Sequence, residues 1–138
     1  MNPSDWEKIK VQGLISLGAP WQSLAKRLRD KGITLLGFGL EALEREKMLQ
    51  CGINATSSVQ AVILHLPHPR VVWLLGTDEN SFLQASRLLA GLLETGSLVL
   101  DGSAQAWEQP QHIRTCFEAA GILYLGPRQV TDLLGLSS

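Results

Sequence analysis

Cysteine is scarce. Cys51 and Cys116 are the only two in 138 residues, too few for a disulfide framework. An excess of charge of either sign is also lacking: 12 Lys+Arg stand against 13 Asp+Glu, a net charge of −1. That balance gives no electrostatic reason to expect nucleic acid or an anionic membrane as partner. No apolar run approaches the roughly 20 residues of a membrane span. The opening Met1–Glu7 segment lacks the basic and then apolar pattern of a secretory signal, so the expected compartment is the cytoplasm. Linkers and low-complexity stretches are missing too, and residues 1–138 read as one domain, with a core over 8–126 and a C-terminal tail over 127–138. What is present is a globular composition, 45% hydrophobic and 18% charged.

Short apolar runs alternate with longer segments of helical period. Lys8–Gly13 alternates polar and apolar residues, as a half-buried strand does. Pro20 suits the first turn of a helix whose apolar face is Trp21, Leu24, Ala25 and Leu28, closed by Gly32. The same reading gives a strand at Ile33–Phe38, a helix at Glu41–Gln50 and a short helix at Val59–Leu66, stopped by Pro67. Val71–Leu75 is a continuous apolar run bounded by breakers, the pattern of a strand buried on both faces. Asp78 is placed to cap a helix over Asn80–Glu94. Strands at Ser97–Asp101 and Ile122–Leu125 flank a helix at Pro110–Ala120. Strands separated by helices imply right-handed βαβ units. The fold class is α/β: a single Rossmann-like, doubly wound, mostly parallel sheet with helices on both faces.

Open parallel sheets bind ligands beyond the carboxyl ends of their strands. The first such loop reads Gly13-Leu14-Ile15-Ser16-Leu17-Gly18. It keeps the outer two glycines of the dinucleotide fingerprint G-x-G-x-x-G, with Ile15 where the middle one belongs. Further along, Pro69-Arg70-Val71-Val72-Trp73-Leu74-Leu75 is followed by Leu98-Val99-Leu100-Asp101-Gly102-Ser103. These segments resemble the N-terminal NADP-binding domain of the 6-phosphogluconate dehydrogenase and β-hydroxyacid dehydrogenase family, and the likeness runs from about Lys8 to Tyr124. The resemblance implies a Rossmann domain with a dinucleotide at the strand ends. Its cofactor contacts would fall on Gly13, Leu14, Ile15, Ser16, Leu17, Gly18, Gly76, Thr77 and Ser103.

Departures from the family pattern set the functional expectation. Ile15 places a branched side chain where backbone should approach the pyrophosphate. Gly39 and Leu40 offer neither an acidic residue nor an arginine for the adenosine ribose, and Asp78-Glu79 adds two carboxylates beside the phosphates. Ala104 stands where the family has the asparagine that meets cofactor and substrate. The family's catalytic lysine and glutamate and its helical substrate domain have no counterpart in the 138 residues. The expectation is therefore a non-catalytic, degenerate domain, a pseudoenzyme with no catalytic residue and no metal. NADP would bind weakly or not at all, and the domain would act through protein contacts, as a homodimer or with another protein. The alternative is a domain that retains weak NADP or NAD binding, as a sensor or as part of a split dehydrogenase. Val130, Leu133, Leu134 and Leu136 in the tail outline one short apolar face that could cover the sheet or meet a partner. His65, His68 and His112 read as surface residues rather than metal ligands, Cys51 and Cys116 as ordinary helix-end residues, and Trp73 as core. Asp78-Glu79 reads as a helix-start charge pair.

Overall fold

The computed structural model describes residues 2–135. A 3₁₀ helix (Pro3–Lys8) leads into β1 (Val11–Leu17), α1 (Gln22–Asp30), β2 (Thr34–Gly39), α2 (Ala42–Gln50), β3 (Asn54–Thr56) and α3 (Val59–Leu64). Then follow β4 (Val71–Gly76), α4 (Glu79–Leu92), β5 (Leu98–Asp101), α5 (Pro110–Glu118), β6 (Leu123–Leu125) and α6 (Pro127–Leu133). The six strands form one sheet in the order β3-β2-β1-β4-β5-β6, and every pairing is parallel. This is the doubly wound Rossmann arrangement, with the strand order reversing between β1 and β4.

The wholly buried strand β4 reflects its uninterrupted Val-Val-Trp-Leu-Leu run. The sheet separates two apolar layers. One joins Trp21 just before α1, Ala25 and Leu28 of α1, Met48 of α2 and Val130 of α6 to Leu14, Trp73 and Leu100 of the sheet. The other joins Val62 and Ile63 of α3, Phe82 and Leu89 of α4, and Ile113 and Phe117 of α5 to Ile15, Val72 and Leu74.

Two elements differ from the sequence reading. The first strand runs over Val11–Leu17 rather than Lys8–Gly13. Lys8 instead ends the 3₁₀ helix, which carries Trp6 under the sheet. The Trp6 ring meets Trp73 edge to face at 5.4 Å. Buried Gln12 joins the two, donating to the Trp6 and Ile9 carbonyls at 2.8 Å and accepting the Trp73 indole N–H at 2.7 Å. Strand β3 has no signal in the sequence, because three edge residues with half-exposed side chains carry no apolar period. The tail forms α6, which buries Val130 and lays Leu133 and Leu134 against the α1-side core; Leu136 lies outside the described residues.

Candidate functional site: the crevice at the carboxyl ends of the strands

The β1–α1 junction differs from the predicted phosphate loop. Gly13, Leu14, Ile15, Ser16 and Leu17 are all strand residues, and only Gly18 of the proposed six lies in the turn. Gly13 pairs with Leu36 on one side and Val72 on the other. A Cβ there would meet Val62 and Leu66 side chains at 3.2 Å, so this glycine allows close approach of the α3 segment. Ile15 is fully buried in the α3–α5 layer and does not face the turn. The objection it raised to pyrophosphate is thereby removed.

Gly18 adopts φ +88°, and a Cβ on it would find nothing within 4 Å. It is both the residue the turn requires and an open approach to backbone. Counted from Gly18 as the middle glycine, the fingerprint spacing falls on Ser16, Gly18 and Trp21. Buried Ser16 donates its hydroxyl to the Ala19 carbonyl at 3.0 Å and closes the turn. Trp21 is the residue before α1, where the third glycine would allow close helix–strand packing. It is buried in the α1-side core, with its indole N–H donated to a Glu44 carboxylate oxygen at 2.5 Å.

At the end of β2, a Cβ on Gly39 would meet the Glu44 Cβ at 2.9 Å, so α2 lies directly against the strand end. Arg45 folds back there and donates to the Gly39 and Leu40 carbonyls at 2.9 and 3.3 Å. The strand end therefore carries a cation that inspection of Gly39 and Leu40 missed. Its signal was the helix register: with α2 starting at Ala42, Arg45 is one turn in, on the side of its own cap.

The β4 and β5 ends are stitched together. Gly76 N–H donates to the Ser103 hydroxyl oxygen at 3.0 Å, and Gln105 donates its side-chain amide to the Thr77 carbonyl at 2.7 Å. Asp78 caps α4, accepting the Ser81 hydroxyl at 2.7 Å and the Ser81 N–H at 2.9 Å, and these bonds hold its carboxyl below the usual range. Glu79 accepts the N–H groups of Glu108 and Gln109 at 2.7 and 3.2 Å. The acidic pair is thus engaged in structure, one as cap and the other as a tie between loops. Asp101 ends β5 with no exposed surface. It accepts Ser103 N–H at 2.9 Å, the Trp107 indole at 2.8 Å and the Tyr124 hydroxyl at 2.6 Å. Burial pushes its carboxyl up, and the hydrogen bonds offset part of that rise. Burial, and then the Asp101 charge, push the Tyr124 phenol far above its ordinary range.

Residues 9–127 match the family model described as the NAD binding domain of 6-phosphogluconate dehydrogenase. The chain belongs to this family. No curated protein matches the chain in sequence. Among solved structures, the domain superposes on Plasmodium falciparum 6-phosphogluconate dehydrogenase with a TM-score of 0.74 at 17% identity, covering 90% of this chain and 32% of that one. Mycobacterium tuberculosis 3-hydroxyisobutyrate dehydrogenase gives 0.70 at 14% identity, over 84% and 39% of the two chains. Prephenate dehydrogenase from A. aeolicus gives 0.65 at 20% identity, over 83% and 40%. The chain spans between 32% and 40% of the length of these relatives.

At the strand ends of this NAD-binding domain, Gly18 leaves backbone open and Arg45 folds onto the end of β2. Trp21 stands at the third fingerprint position, bonded to Glu44, and Asp78 caps α4. Among the described residues no group of three His, Cys, Asp or Glu side chains is placed to hold a metal ion, and no helix is long and apolar enough to cross a membrane. His65 bonds the Ala61 carbonyl of its own helix, His68 meets Glu94, and Cys51 is exposed at the end of α2. Burial raises the Cys116 thiol, which disfavours the reactive thiolate.

Proposed function

We propose that this domain is a non-catalytic member of its family, acting through protein contacts and holding NADP or NAD no tighter than about millimolar, or ~4 kcal/mol. The observation that supports the reading is Trp21. A buried indole at the third fingerprint position, bonded to Glu44, takes the place of the small residue that this strand–turn–helix junction uses in dinucleotide binding. The titratable groups lining the crevice agree with an absence of chemistry. A general base must reach its proton at about 2.6–3.2 Å, whereas Asp78, Glu79 and Asp101 all accept hydrogen bonds from the domain itself. The contact surface we favour is the β2–α2 corner, where Leu40 and Leu43 are 54% and 60% exposed. Its occupant would be a second copy or another protein.

Calorimetric titration of the purified protein with NADP, NADPH, NAD and NADH tests the cofactor part. Heats that do not saturate below millimolar ligand are expected. A micromolar constant for any of the four would overturn the reading. It would favour the second one, a sensor or a component of a split dehydrogenase, for which Gly18 and Arg45 are the supporting residues.

A further inference from the structure

We propose that this domain forms a two-fold dimer by pairing β3 with β3 of a second copy, antiparallel, with Ala55 against Ala55. The proposal rests on the contact reading above and commits it to one occupant. β3 is the outermost strand, next to β2. Phe38 pairs with Thr56, so Leu40 emerges at this same edge of the sheet. The exposed β2–α2 corner therefore flanks the strand.

The ladder fixes which peptide groups of β3 are free. Thr34 donates to the Lys10 carbonyl, so Thr34, Leu36 and Phe38 turn their peptide groups toward β1. Successive residues of a strand alternate in this respect, and Gly37 faces β3. Gly37 stands opposite Ala55 and bonds the residues on either side of it, so the N–H and C=O of Ala55 point outward. No described residue hydrogen-bonds to either group. The other edge of the sheet is closed. Leu123 donates to the Ser97 carbonyl, which makes Tyr124 the outward residue of β6, and Arg114 covers its carbonyl at 3.1 Å. One edge is blunted by a charged side chain and the other is not.

The open edge fits its own copy in hydrogen bonds, charge and apolar surface. In an antiparallel hydrogen-bonded pair two residues exchange both N–H···O bonds, so Ala55 needs only a second Ala55. Beside that pair, Asn54 would stand opposite Thr56 of the second copy, and the reverse. Thr56 Oγ1 accepts the Ser58 N–H at 3.3 Å, which leaves its hydroxyl proton for the Asn54 amide oxygen across the axis. Charge agrees. A surface that meets itself brings each charge near its like, and residues 48–69 hold no Asp, Glu, Lys or Arg in a chain that is 18% charged. Interface centres are depleted of charge in the same way. On the α3 side, Leu36, Ala61 and Val62 line a groove of about 310 Å³ beside Asn54 and Thr56. Leu64, at the end of α3, is 72% exposed. Pairing at β3 joins the two grooves across the axis. One residue pair is a short template, so these flanks and the Leu40–Leu43 corner must supply most of the ~1,200 Å² that a stable interface buries.

Light scattering of the full chain reads the assembly, and amide hydrogen exchange of the ¹⁵N-labelled chain reads the surface. A species of twice 15.1 kDa is expected, and exchange at the Ala55 amide should slow about tenfold from a dilute sample to a concentrated one. Ala55→Pro removes an outward donor and no ladder bond. It should weaken dimerisation about tenfold or more, since each copy loses one hydrogen bond. Asn54→Lys and Thr56→Glu should each weaken association alone. Mixing these two variants should restore a one-to-one dimer, because the new lysine and glutamate face each other in this register. Melting curves of the dilute variants check that each is folded. A dimer whose Ala55 amide stays unprotected, variants that dimerise as the parent does, or mixing that restores nothing would overturn the β3 pairing and leave the contact reading standing. A monomer at millimolar concentration would overturn both.

Discussion

Trp21 and Glu44 meet between α1 and α2, the indole N–H donating to a carboxylate oxygen at 2.5 Å, three residues past the glycine that opens the crevice. This bond ties the start of α1 to the first turn of α2. It joins the two loops that would flank an adenosine, by a contact that the chain makes with itself.

Trp21→Gly removes a fully buried indole and should destabilise the domain by about 3–5 kcal/mol. Among molecules still folded, NADP should bind about tenfold tighter or better. Trp21→Phe keeps the ring and loses only the donor. It should cost about 1 kcal/mol and leave dinucleotide affinity where it is. Urea denaturation with calorimetry on both variants checks this. Folded Trp21→Gly that binds no better than the parent would clear Trp21 of blame for weak binding.

Asp101 predicts a pH dependence. Its folded pKa is raised, chiefly by burial, above the ~3.9 of an unfolded aspartate. The native state then holds the proton more tightly than the unfolded chain. The stabilisation is full below that value and falls as pH rises toward the folded pKa. Asp101→Asn should abolish this decline. It should also cost about 1–3 kcal/mol in acid, since one of the three donors would face an amide NH₂. Denaturation midpoints of both proteins between pH 4 and pH 8 decide the matter, and parallel curves would refute it.

The 3₁₀ helix belongs to the core despite lying outside the sheet. Trp6→Ala removes the edge-to-face contact with Trp73 and leaves a cavity over β4, and should cost about 3–5 kcal/mol. Thermal unfolding measures it. A loss below 1 kcal/mol would mean that the segment is only loosely held.

If the exposed β2–α2 corner mediates contact, Leu40→Asp combined with Leu43→Asp should convert associated protein to a species of about 15 kDa by light scattering, without changing the melting curve of that species. Leu133→Asp should instead destabilise the fold, because that side chain packs against the α1-side core. A parent that is monomeric and recovers no partner by pull-down would remove the contact reading.

The alternation of elements was legible because apolar period and breakers are local properties. Val71–Leu75 reads as a buried strand, Asp78 as a cap, and Pro110 as a helix start, and each stands so in the fold. The first strand was displaced because Lys8 and Lys10 alternate with Ile9 and Val11 just as an edge strand would. Trp6 needs a partner 67 residues away before its helix is worth forming. That shift moved the apparent fingerprint by one glycine and turned Ile15 from an obstacle into core.

By itself the sequence determined the α/β class, the strand–helix order and the family, because these follow from periodicity, turn residues and two motif segments. Only the tertiary structure decided where the crevice lies and what lines it. Gly13 serves α3, Gly18 opens the turn, Arg45 reaches the end of β2, and α6 lays Leu133 and Leu134 against the α1-side core. The physical reason is distance along the chain. Each of these outcomes joins residues of separate elements, and their contact energies are absent from any local window until the sheet has set the register.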